Sequence, residues 1–188
     1  MQDHALENLR YIRRAMERAG SFTAVSGRGG ILMGFIALAA GLVADRQPYP
    51  NRWLAVWVAG AAIALPLGFL CMYRKAARGG VSLLSGPGRR FALSFGPSIA
   101  AGLMLTLACK RAGLYQWMPA LWLLLYGSAV ASGGAHSVGV VPLMGATIMA
   151  LGAVALFGPA ELGNPLLMAG FGAAQIGFGL WIARRHGG

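Results

Sequence analysis

Long apolar runs separated by short polar breaks make up the chain from Gly29 onward. The runs are about 29–44, 53–73, 91–109, 114–132, 138–157 and 165–183. A helix rises about 1.5 Å per residue, so about 20 apolar residues cross a hydrocarbon layer of about 30 Å. Five of the runs approach that length. The first is shorter, and extending it back to Ala24 with Arg28 snorkelling to the interface makes up the difference. Such runs are too long and too uniform for strands. The pattern therefore predicts an all-α fold: a polytopic transmembrane helical bundle of about six spanning helices.

Residues 1–28 follow a different pattern. Ala5, Leu9, Ile12, Met16 and Ala19 recur at the helical period, with Arg10, Arg13, Arg14, Glu17 and Arg18 on the other side. This predicts an N-terminal amphipathic juxtamembrane helix, capped by Asp3 and ended by Gly20-Ser21. Gly27-Arg28-Gly29-Gly30 is expected to turn the chain into the bilayer. Two regions result, a cytoplasmic amphipathic basic arm over 1–28 and a six-helix transmembrane domain over 29–188. The first nine residues hold Asp3 and Glu7 and no basic n-region, so the first apolar run reads as a retained helix and not a secretory leader.

Composition sharpens this picture. Charged residues are 11% of the chain and hydrophobic residues 57%, whereas a soluble domain carries about 25% charge. The net charge is +11. The basic residues stand beside apolar runs, where they set topology and meet anionic head groups, so nucleic acid is not the expected partner. With six spans, one side holds 12 Lys and Arg: five in the arm, five in 74–90 and two at Arg184-Arg185. The other side holds four, namely Arg46, Arg52, Lys110 and Arg111. By the positive-inside rule both termini are expected in the cytoplasm. Arg10, Arg13, Arg14 and Arg18 of the arm, with Arg74, Lys75, Arg78, Arg89 and Arg90 of the long basic loop 74–90, are the expected contacts to anionic lipid or to a protein partner. A homo-oligomer fits the same surface logic.

Small residues recur every four positions at Gly60, Ala64 and Gly68, at Ser98, Gly102 and Thr106, and at Ala169, Ala173 and Gly177. Such faces let helices approach closely in lipid and are expected to point inward. Trp53 and Trp57 at one end of the second run, and Tyr73 at the other, read as aromatic belts. Pro66 is expected to bend that helix. Cys71 and Cys109 close runs of opposite direction, which places them too far apart for a disulfide.

Candidate chemistry is sparse. No Asp or Glu lies within an apolar run, which weakens ion-coupled transport. Gln175, Thr106 and Thr147 are the expected intramembrane polar contacts, with Tyr126 and Ser128 beside them, and Gln175 is expected to hydrogen-bond across a helix interface. His136 stands alone in a glycine-rich turn, without the further ligands a metal needs. No phosphate-cradling loop or serine nucleophile motif occurs. No catalytic residue, cofactor or metal is assigned.

The segment Tyr11–Val25, YIRRAMERAGSFTAV, followed by glycine-rich residues and an apolar run, resembles the opening of an uncharacterised family of small bacterial multi-pass inner-membrane proteins. The resemblance covers about 30 residues. It implies a bacterial inner (plasma) membrane location and supplies no activity or site residues. The residues support a non-enzymatic accessory or regulatory membrane subunit. The alternative is a small transporter or channel for an unidentified solute, suggested by prolines 66, 97, 119 and 142 within or near the runs.

Overall fold

The computed structural model describes residues 25–79, 86–135 and 137–186. The expected amphipathic arm, with Arg10, Arg13, Arg14 and Arg18, lies outside the described residues, as does His136. The described chain is helical throughout, in six helices: α1 (Gly27–Asp45), α2 (Pro50–Arg78), α3 (Gly86–Ala112), α4 (Met118–Gly134), α5 (Val140–Phe157) and α6 (163–186). Five of these are long and apolar enough to cross a membrane. The exception is α4, whose 17 residues make about 26 Å of helix. A single 3-10 turn, Tyr115–Trp117, leads into it.

The surface confirms the class. Phe35, Phe69, Leu93, Leu103 and Met104 are each more than half exposed. In water such a belt would be a large aggregation liability, whereas in lipid it is ordinary. The buried positions are mostly small, and glycine sits where helices cross. On α1, a Cβ on Gly34 would stand 2.7 Å from the Gly172 carbonyl oxygen of α6. On α5, a Cβ on Gly145 would stand 2.4 Å from the Ala131 nitrogen of α4.

Several sequence expectations are corrected. Gly27-Arg28-Gly29-Gly30 is not a turn but the first turn of α1, N-capped by Ser26, whose Oγ accepts from the Gly29 N–H at 3.2 Å. Glycine is needed there because a Cβ on Gly27 would stand 2.4 Å from the Ala183 nitrogen of α6. The basic stretch 74–90 is mostly helix: α2 continues to Arg78 and α3 starts at Gly86. Apolarity ends at Tyr73, but the helix propagates beyond it, and Lys75 and Arg78 complement the negative end of the dipole. The faces of Gly60, Ala64 and Gly68, and of Ser98, Gly102 and Thr106, do turn inward. The face of Ala169, Ala173 and Gly177 does not: Ala173 and Gly177 are exposed. The register of α6 is changed by a π-helical stretch, Met168–Ala174, so that Gly170 and Gly172 are buried instead. Helix α2 runs unbroken through Pro66.

The helices form an open curl. Helix α1 packs on α2 and α6, and α4 packs on α3 and α5, while α6 also meets α4 and α5. The ends of the curl are α2 and α3. These come together in the cluster of Leu54, Cys109 and Met118, and again where Phe91 packs beside Ala76. Between those points they stand apart. Cys71 and Cys109 are both free.

Candidate functional site

The gap between α2 and α3 opens into a cavity of about 290 Å³. Its size is near the lower end for small-molecule sites. Both bordering helices carry a proline at the same edge of it, Pro66 next to Leu65 and Pro97 next to Ser98. Each proline removes one backbone hydrogen bond without interrupting its helix.

The lining is almost wholly apolar. Small residues Gly60, Ala61 and Ala64 of α2 and Gly102 of α3 leave the space, and Trp57, Trp122, Tyr126 and Phe171 form its aromatic wall. The wall is held by edge-to-face contacts: Phe171 meets Trp57 at 6.3 Å and Tyr126 at 5.2 Å between ring centroids. Phe95 meets Tyr126 from the other side, at 6.1 Å. Phe171 reaches this position from within the π-helical stretch, a distortion often found at functional sites.

Hydrogen-bonded polar side chains enter the cavity at two places, and Ser98 also lines it. Gln175, only 4% exposed, donates from Nε2 to the Tyr126 hydroxyl, joining α6 to α4. Thr106 accepts from Trp122 Nε1 at 2.8 Å and donates to the Gly102 carbonyl at 2.7 Å, joining α3 to α4. The cross-helix bond expected of Gln175 is therefore present, and Thr106 lies in the same cavity. Thr147 does not join them: its hydroxyl bonds back to the Leu143 carbonyl of its own helix at 2.9 Å.

A second polar node closes the end of the bundle opposite the basic one. Asn164 Oδ1 accepts from Trp53 Nε1 at 3.2 Å and from Trp57 Nε1 at 3.0 Å. Its Nδ2 donates to the Gly41 carbonyl at 3.1 Å and to Asp45 Oδ1 at 3.2 Å. One amide thus ties α1, α2 and α6 together with all its principal hydrogen-bonding capacity in use. Trp53 and Trp57 were expected as an interfacial belt. Trp57 is instead 5% exposed, because its ring fills the core while its N–H reaches Asn164. Sequence reasoning missed Asn164, which sits in a short Gly-Asn-Pro stretch that reads as a break between runs. The pair of indoles one helical turn apart was the available signal, since each buried N–H needs an acceptor.

The basic residues lie at the other end. Arg74, Arg78, Arg89 and Arg90 are exposed on the facing ends of α2 and α3. Lys75 is half-buried, and its Nζ donates to the Val25 carbonyl at 3.0 Å, anchoring the entry to α1. Among the described residues no group of three or more His, Cys, Asp or Glu could hold a metal ion.

Fold and cavity together define a polytopic helical membrane protein with an apolar cleft bordered by α2 and α3. No family model, curated protein or solved structure matches the chain.

Proposed function

We propose that this chain is a non-enzymatic membrane protein, an accessory or regulatory component, that takes a bilayer-soluble molecule laterally into the cleft between α2 and α3. The observation that carries this reading is the cleft: about 290 Å³, lined by apolar and aromatic side chains, at mid-depth between two helices that face lipid. A polar solute would lose its hydration there with few partners to replace it. An apolar one exchanges contacts with lipid tails for contacts with the aromatic wall and has no hydration to lose. A transported hydrophilic solute fits this lining poorly, which places the channel reading second.

Photolabelling tests the proposal. The protein is reconstituted with a phospholipid carrying a diazirine at mid-chain, irradiated and mapped by peptide mass spectrometry. Labels are expected on Trp57, Tyr126 or Phe171, which bulk lipid does not reach. Gly102→Phe should suppress those labels, because a Cβ at Gly102 has its nearest neighbour at 3.7 Å and the added ring would extend into the cleft. Labels confined to outward positions such as Phe35, Phe69 and Leu93 would overturn the reading.

The orientation belongs to the same proposal: six crossings and both termini in the cytoplasm, supported by the 12-to-4 division of basic residues, in a bacterial inner membrane as the resemblance of Tyr11–Val25 implies. The exposed arginines at the ends of α2 and α3 would then meet anionic lipid in the cytoplasmic leaflet. Reporter fusions after Gly80, Gly113, Ser137 and Gly188 should read inside, outside, inside and inside. An outside reading at Gly188 would contradict six crossings, and the short α4 would be the first helix to suspect.

A further inference from the structure

Gln175 raises a question that apolar packing does not answer. Its amide offers two N–H donors and a carbonyl acceptor. The described residues give it one hydrogen bond, to the Tyr126 hydroxyl. As the acceptor in that bond, Tyr126 retains its own O–H proton to donate. Both side chains line the cleft, and Gln175 is 96% removed from the surface, being 4% exposed. The lining offers such groups few other partners, so unused donors there favour a ligand that accepts them.

We propose that the cleft is built for a flat, conjugated, carbonyl-bearing molecule that dissolves in the bilayer, a compound of the quinone class. It rests on the reading that the cleft takes a bilayer-soluble molecule, and adds the chemistry of that molecule. Three features select it. The spare donors of Tyr126 and Gln175 call for a carbonyl oxygen, which the methylenes of a lipid tail do not supply. The rings of Trp57, Trp122, Tyr126 and Phe171 border the space that Gly60, Ala61, Ala64 and Gly102 leave open, and aromatic surroundings of this kind suit a conjugated ring. Finally, none of the lining residues is charged, so the ligand is neutral and a lipid phosphate has no partner inside. An apolar tail would leave through the gap between α2 and α3 into lipid.

The test compares two probes that share a fused bicyclic frame and a decyl tail and differ in the quinone carbonyls and the ring that bears them: 2-decyl-1,4-naphthoquinone and 2-decylnaphthalene. Each is equilibrated by dialysis between nanodiscs holding the full chain and empty nanodiscs of the same lipid. Both should accumulate on the protein and saturate near one per chain. The quinone should bind about tenfold more tightly, as one or two hydrogen bonds formed in a dry site would give. Tyr126→Phe removes the hydroxyl, so it should reduce that preference severalfold and leave decylnaphthalene binding nearly unchanged, while the melting temperature falls by a few degrees because Gln175 loses its described partner. Gln175→Leu, as a second variant, should also reduce the preference. Equal binding of the two probes by the unaltered protein would overturn the carbonyl inference and leave the cleft reading standing. Saturable binding of neither would overturn both. A preference that survives in both variants would overturn the assignment to Tyr126 and Gln175.

Discussion

Replacing Asn164 with leucine should lower the melting temperature of the detergent-solubilised protein by about 10 °C, the largest effect expected of any single polar substitution. The side chain is nearly the same size, so little packing is lost. What disappears is the only acceptor for two indole N–H groups among the described bonds, and the donor to the Gly41 carbonyl and to Asp45. Hydrogen bonds within membrane proteins average about 0.6 kcal/mol and reach about 1.7 in double-mutant cycles. Four bonds on one amide, with buried partners left unpaired, put the loss at about 3 kcal/mol. For a chain of this size each kcal/mol moves the midpoint by about 2–4 °C. Asn164→Asp separates donor from acceptor. It keeps oxygens for Trp53 and Trp57, loses both N–H donors, and sets an acidic group against Asp45, so it should be at least as damaging as leucine. Trp53→Phe and Trp57→Phe should each cost less, since each removes one bond. A shift below about 2 °C for Asn164→Leu would show that the node does not hold α1, α2 and α6 together.

How much of this architecture the sequence discloses depends on the scale of the signal. The six helices are legible because apolar runs report membrane depth directly, and their centres match. Their ends are less so. Hydropathy stops at Tyr73, yet the helix goes on to Arg78, because intrahelical bonding does not depend on side-chain apolarity. Likewise, glycines at 27, 29 and 30 read as a turn although Gly27 and Gly30 are the close-approach face of α1 against α6, and Gly29 faces α2. In water glycine in a helix weakens it, whereas in lipid it is what lets two backbones meet. Gln175 and Thr106 stood out as polar residues in apolar runs, and both line the cleft. Of their partners, Tyr126 stood out beside them, whereas Trp122 did not, since a tryptophan is ordinary in a membrane helix. The cleft itself was not legible. It arises from which helices are neighbours, and consecutive α2 and α3 happen to be the two ends of the curl. Spacing in sequence carries no trace of that.

The periodic small-residue faces provide the sharpest contrast between sequence pattern and packing, and a paired substitution measures it. Gly177 belongs to a regular series with Ala169 and Ala173, whereas Gly145 belongs to none of the three series singled out in the sequence. The π-helical stretch at Met168–Ala174 inserts extra backbone into each turn and rotates the following residues, so the regular series faces outward. A Cβ at Gly177 would meet nothing within 4 Å. A Cβ at Gly145 would stand 2.4 Å from the Ala131 nitrogen and 2.6 Å from the Gly127 carbonyl oxygen. Both obstacles are backbone, so no rotamer change relieves them, and α4 and α5 would have to separate along their most extensive contact. Overpacking of this kind costs about 1–3 kcal/mol. Alanine also returns up to about 1 kcal/mol through helix propensity. Gly145→Ala should therefore lower the melting temperature by about 5 °C, and Gly145→Val by more. Gly177→Ala carries the propensity gain alone and should raise it by about 2 °C. A loss at Gly177 comparable to that at Gly145 would place the regular face inside the bundle and remove the rotation that brings Phe171 and Gln175 to the cleft.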